Sequence, residues 1–278
     1  MMRMLTWGIL LGIAVSVSAA PARRGAGRGG LAYPPDLPGA RAEVYKTVGD
    51  VKLSVWIHEP AGHRAEDRTP AIVFFFGGGW ANGSPAQFAE QCRYLASRGM
   101  VAITADYRVS SRHQAKVVDC VRDARSAVRW VRANAARLGI DPARIATGGG
   151  SAGGHLAACM GVLTGFDEPG EDAKVSGRAD AMVLFNPAMA LAPIDGVTTD
   201  RDLSAFAERI GAEPSTVSPA HHAGKGVPPS VMFFGTEDKL LAGAEAFRTR
   251  AREAGGRCEI VTYAGQAHGF FNHGRGGD

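Results

Sequence analysis

The chain has 278 residues, 45% hydrophobic and 21% charged, with 37 Gly and 15 Pro. That composition excludes collagen-like, coiled-coil and wholly disordered chains and suffices for a buried core in one domain. Its 31 Lys and Arg against 27 Asp and Glu give a formal charge of +4, but Arg3, Arg23, Arg24 and Arg28 lie in the first 30 residues, which hold no acid, so the remainder carries no net charge. A body of that kind lacks the electrostatic footprint of a nucleic-acid binder.

Residues 1–20 begin with Arg3, continue through the apolar run Leu5–Val17 and end in Ser18, Ala19 and Ala20. This is the order of a secretory signal peptide. The run is shorter than the roughly 20 apolar residues a spanning helix needs. Residues 1–19 are therefore expected to be a cleaved leader, with an uncleaved anchor as the alternative, and the mature chain to be secreted or periplasmic with no membrane contact. Residues 20–40, rich in Gly, Ala, Arg and Pro, are expected to be a flexible linker, and 41–278 a single domain. An exported chain meets an oxidising compartment, so Cys92, Cys120, Cys159 and Cys258 allow one or two disulfides. Equally, they suit buried positions as small apolar residues.

From Glu43 the pattern alternates. Glu43–Thr47 and Val51–His58 read as strands joined at Gly49-Asp50. Ala71–Phe76 is a continuous apolar run, as in a strand buried on both faces. Ser84–Arg98 reads as helix, Val101–Arg108 as strand, Lys116–Leu138 as a long amphipathic helix, Arg144–Gly148 as strand and Ala152–Leu163 as helix. Ala181–Phe185, Ser230–Phe234 and Cys258–Tyr263 supply further strands, with a helix at Leu240–Ala254. Alternation of this kind predicts an α/β domain with a mostly parallel sheet and helices on both faces. Residues 187–229 interrupt the rhythm with one helix-like run, Leu203–Ile210, and read as a lid-like insertion.

Four motifs carry chemistry. Gly149-Gly150-Ser151-Ala152-Gly153 falls where a strand ends and a helix begins, which is the context a G-x-S-x-G nucleophile turn requires. Small neighbours tolerate the strained backbone of such a turn, and the helix amino terminus favours a developing anion. A glycine-rich turn could also cradle phosphate; the flanking strand and helix favour Ser151 as a nucleophile. Gly77-Gly78-Gly79-Trp80 directly follows a buried strand and can aim backbone N–H groups at one point, as an oxyanion hole requires. Asp238, in Gly235-Thr236-Glu237-Asp238 after a strand, can accept from an imidazole and fix its tautomer; Glu237 is the competitor. His268 follows the last strand between glycines and suits a general base. His273 lies nearer the chain end. His155, four residues beyond Ser151, is expected to pack or bond locally, and His221 and His222 lie in the insertion. The order Ser, Asp, His is the one found on this sheet type.

Together these motifs resemble an α/β-hydrolase of the hormone-sensitive-lipase-like group, close to bacterial secreted esterases associated with polysaccharide acetyl esters; the resemblance runs from Val51 to Asn272. It implies an eight-stranded sheet with the second strand antiparallel, and an oxyanion hole formed by Gly78, Gly79 and Ala152. It further implies an acyl-enzyme mechanism on Ser151, Asp238 and His268 with no metal or organic cofactor. The substrate would be a small-molecule or polysaccharide ester with a short acyl group, bound in part by Trp80 and the insertion. Asp106-Tyr107-Arg108 resembles a structural element of the group. Phe76 stands where the group has a histidine, so a hydrogen bond that stiffens the glycine loop is expected to be missing. The group's last helix, which covers one sheet face and braces the histidine loop, is expected to be missing or vestigial beyond His268. A serine peptidase of the same fold and a non-catalytic binding module are the rival readings. Retention of all three triad residues opposes the second. The oligomeric state is left open.

Overall fold

The computed structural model describes residues 33–197 and 207–275. The leader expected at 1–19, the expected linker before Tyr33 and residues 203–206 of the helix-like run lie outside the described residues.

Eight strands form one sheet: β1 (Arg41–Val48), β2 (Val51–His58), β3 (Thr69–Phe75), β4 (Val101–Ala105), β5 (Ile140–Gly150), β6 (Ala181–Phe185), β7 (Ser230–Gly235) and β8 (Cys258–Tyr263). Their spatial order is β1-β2-β4-β3-β5-β6-β7-β8. Strand β2 runs antiparallel to both β1 and β4, and every later pairing is parallel. Parallel strands buried on both faces need apolar residues at consecutive positions, and Ala71, Ile72, Val73, Phe74 and Phe75 are all buried.

Alternate residues of these strands feed two cores. Val73, Phe75, Ile103, Ile145, Leu184 and Phe234 point to the face packed by three helices, α3 (Val117–Ala133), α4 (Ala152–Val162) and α6 (Leu241–Glu253). Ile72, Phe74, Ala102 and Ala146 point to the opposite face, where Phe88 of the 3-10 turn Pro85–Phe88 and Cys92 of α1 (Ala89–Ser97) meet them. Helix α1 covers the β4 side of that face. Towards β6, β7 and β8 the aromatic surface of Phe185, Phe233, Tyr263 and Phe271 lines an open groove of about 720 Å3. Among the described residues no helix follows β8; the chain after Tyr263 is turns.

The sequence places every strand, and its errors are at the ends. β5 begins four residues earlier than expected because Ile140 pairs with Thr69 before the ladder resumes at Ala71–Ile145. The β4 ladder stops at Ala105, because Asp106-Tyr107-Arg108 is drawn into side-chain bonds: Arg108 grips the buried Asp123 of α3 with Nε at 2.8 Å and Nη2 at 2.9 Å, and Lys46 reaches Asp123 at 2.7 Å. A buried carboxylate needs such partners to offset desolvation.

The described part of the insertion packs against the main core. Ala188, Met189, Leu191, Ile210, Val217 and Ala220 are buried in the main core, and of the helix-like run the described part forms α5 (Ala207–Ile210); α2 is the short turn Ser110–His113. All four cysteines are free and buried. Burial raises their thiol pKa values, since it penalises the thiolate.

Candidate active site

Three loops meet at the carboxyl ends of the parallel strands, the place where open α/β sheets bind ligands. Ser151 follows β5 with φ 55° and ψ −118° and immediately precedes α4. No ordinary side chain adopts that conformation cheaply, and the fold holds it by a bond from Ser151 N–H to Phe185 O at 2.9 Å and bonds from His155 and Ala188 N–H to Ser151 O. Close packing dictates the glycines here: a Cβ at Gly153 would sit 2.0 Å from the carbonyl oxygen of Phe75.

Asp238 lies just after β7 and is buried, with 6% of its surface exposed. His268 lies in the turns after β8. Its Nδ1 is 2.8 Å from Asp238 Oδ2 and its Nε2 is 2.9 Å from Ser151 Oγ. A carboxylate oxygen only accepts, so Nδ1 carries the proton and Nε2 presents its lone pair to the serine hydroxyl. Asp238 Oδ1 accepts from Leu240 N–H at 2.9 Å, and Asn186, fully buried after β6, donates Nδ2 to Oδ2. Asn186 escaped the sequence reading: an isolated asparagine after a strand has no signature, and its partner is 52 residues away. Glu237, the competitor, is exposed and also lines the cavity.

The glycine loop after β3 faces Ser151. Gly78 has φ 129°, and a Cβ there would lie 2.2 Å from Asn82 O, so the turn admits glycine only. Ala152 is the first residue of α4, where helix N–H groups have no intrahelical partner. Phe76, expected to leave the loop without a brace, stacks on Tyr107 at 4.1 Å between ring centroids, and Tyr107 Oη donates to Phe76 O at 2.7 Å. A second brace was not foreseen. Gln87 Oε1 accepts from Gly77 N–H at 2.6 Å, and Gln87 Nε2 donates to Asn272 Oδ1 at 2.8 Å; Asn272 Nδ2 in turn donates to Gly269 O at 2.7 Å. One side chain thus straps the glycine loop to the histidine loop.

Ser151, His268, Gly78, Gly79 and Trp80 share a cavity of about 650 Å3 with Ala188 and Arg209 of the insertion. Arg209 donates to Gly79 O at 2.6 Å. Of the other histidines singled out above, His221 bonds with Ser218 and Pro193, His222 with Ser215, and His155 with Trp80 and Val217, while His273 lines the open groove beside Phe271.

The family described as alpha/beta hydrolase fold matches residues 72–272. The chain belongs to that family. Over 259 residues it is 29% identical to carboxylesterase NlhH of Mycobacterium tuberculosis, covering 87% of this hydrolase and 79% of that protein. Among solved structures, Thermogutta terrifontis esterase 2 phosphonylated by sarin superposes on the hydrolase with a TM-score of 0.86 at 50% identity, covering 88% of this chain and 91% of that one. The butyrate-bound form of the same esterase gives 0.83 at 51% identity, with 88% and 90% covered.

Proposed function

We propose that this enzyme, a carboxylic-ester hydrolase, cleaves short-chain acyl esters through an acyl-enzyme formed on Ser151. The observation that carries the reading is the relay of 2.8 Å and 2.9 Å from Asp238 through His268 to Ser151 Oγ, at the rim of a cavity. His268 Nε2 takes the serine proton as Oγ attacks the ester carbonyl, and Asp238 and Nδ1–H stabilise the imidazolium that forms. Backbone N–H groups of Gly78, Gly79 and Ala152 receive the oxyanion. The alcohol leaves with the proton held by His268. Water, deprotonated by the same imidazole, then attacks the acyl-enzyme and releases the acid.

Two observations support a short acyl group. The relative from Thermogutta terrifontis is described with butyrate bound, and the buried Trp80 is one of the residues lining the cavity beside Ser151. The leader supports action outside the cytoplasm, and acetylated polysaccharide is then the polymeric substrate to test.

The experiment is turnover of p-nitrophenyl esters from acetate to octanoate, and of acetylated xylan, by the wild type and Ser151→Ala. Turnover should be greatest on the short esters and absent in Ser151→Ala, with an unchanged melting temperature. Hydrolysis retained by Ser151→Ala would remove the serine from its role. Failure of a serine-directed phosphonate to label the wild type would favour a binding module instead.

A further inference from the structure

We infer that His155 is a positioning residue: its imidazole bolts Trp80, and with it the glycine loop facing Ser151, to the helix that begins at the nucleophile and to the insertion. The inference rests on the ester-hydrolase reading above. His155 sits one turn into α4 and is fully buried. Its Nδ1 lies 3.3 Å from Trp80 Nε1, and its Nε2 lies 2.6 Å from Val217 O. An indole N–H only donates and a carbonyl oxygen only accepts. One tautomer satisfies both: Nδ1 bare, Nε2 protonated. Burial also lowers the His155 pKa to about 4, which keeps the ring in that neutral form.

The bond matters because of the backbone it holds. Gly78, Gly79 and Trp80 occupy three successive left-handed conformations, with φ of 129°, 62° and 58°. Two are glycines, for which this costs little. Trp80 is not, and a strained residue persists only where its surroundings fix it. The indole is fixed edge-on to the imidazole, ring centroids 5.1 Å apart at 90°, while Trp80 O accepts from Ser110 N–H. Without the imidazole acceptor Trp80 can relax towards right-handed φ, and the adjoining Gly79 N–H turns away from Ser151. A histidine that merely filled space would be replaceable by any side chain of its volume.

Two substitutions separate the two bonds. In His155→Asn the amide oxygen falls near Nδ1 and keeps an acceptor for Trp80, losing the reach to Val217. In His155→Gln the amide falls near Nε2, keeping Val217 and losing Trp80. Trp80→Phe removes the donor while leaving an aromatic ring. For the full chain on p-nitrophenyl butyrate, His155→Gln and Trp80→Phe should each lower kcat by about 10- to 100-fold, His155→Gln with KM within about twofold, below the ~10²–10³ lost with an entire oxyanion donor. His155→Asn should restore kcat to within about threefold of wild type. The double variant Trp80→Phe/His155→Gln should be no worse than either single, since both break one contact. Equal kcat for His155→Gln and wild type, losses that multiply in the double variant, or failure of His155→Asn to restore kcat would each overturn the inference.

A second readout needs no turnover. The Trp80 indole 15N–1H resonance, assigned through Trp80→Phe, should be protected from solvent exchange in the wild type and His155→Asn, and lose protection in His155→Gln. If the wild type hydrolyses no ester while that pattern holds, the functional reading fails and the clamp stands. If esters are hydrolysed and the pattern is absent, the clamp fails alone.

Discussion

Asp238 holds the imidazole of His268, and Asn186 holds Asp238. The carboxylate is buried and accepts from three groups, Asn186 Nδ2, Leu240 N–H and His268 Nδ1. A hydrogen bond to a charged group contributes ~1.5–3 kcal/mol, and a buried carboxylate that loses one pays in desolvation. Asn186→Ala should therefore lower kcat by about 10- to 100-fold, because the carboxylate would turn to find solvent and carry the imidazole with it. Steady-state kinetics on a short p-nitrophenyl ester, with the melting temperature as control, check this; an unchanged kcat would show that Leu240 N–H and His268 suffice. The proposed triad itself was legible in the sequence because each member lies within five residues of a strand end, in a short motif containing glycine. Asn186 was not, since only the folded sheet brings the ends of β6 and β7 together. The turn after β7 also separates the two adjacent acids, burying Asp238 against His268 and leaving Glu237 exposed.

The glycine loop, the 3-10 turn Pro85–Phe88 and the histidine loop are separate in the chain but share Gln87. The Gly77 N–H must find an acceptor, and this fixes Gln87 Oε1 on it and turns Gln87 Nε2 towards Asn272. Gln87→Leu leaves the Gly77 N–H unpaired and releases Asn272, so it should cost ~1–3 kcal/mol of stability and about 10-fold in kcat, since a loop donor loses part of its preorganisation. Gln87→Glu retains the acceptor but sets a carboxylate oxygen against Asn272 Oδ1, so its kcat should fall while its melting temperature stays above that of Gln87→Leu. Thermal melts and kcat for the two variants test whether the strap acts on the chemistry or only on the fold. Phe76 led the sequence reading to expect an unbraced loop. What replaced the brace lies 185 residues away from its final partner, a separation no local pattern reports. The strands, by contrast, were legible throughout, because apolar runs between glycines and prolines are local signals. Their ends were not, since a ladder stops where a neighbour's register or a buried charge such as Asp123 intervenes.

Across the whole molecule, two buried groups oppose one another in acid. His155 has its pKa lowered from 6.5 to about 4 by burial, and Asp106 has its pKa raised from 3.8 to about 6, again by burial, outweighing the bonds from Tyr33 and the Tyr107 N–H. As the pH falls from 6.5 to 4 the unfolded chain protonates its histidine and the folded one does not, so His155 removes stability. Over nearly the same window Asp106 takes up a proton in the folded state before the unfolded carboxyl does, so it restores stability; equivalently, its contribution is lost as the pH rises from 3.8 to 6. Each term is worth about 3 kcal/mol over its window, and the two nearly cancel. Asp106→Asn removes the restoring term while keeping an acceptor for the Tyr107 N–H, so its stability should fall more steeply than wild type on acidification. His155→Asn removes the opposing term and should flatten the profile. Urea unfolding of the three proteins at pH 7, 5.5 and 4.5 gives the slopes directly. Parallel profiles for all three would mean that water reaches both groups, and with it the interior on which the Trp80 clamp depends.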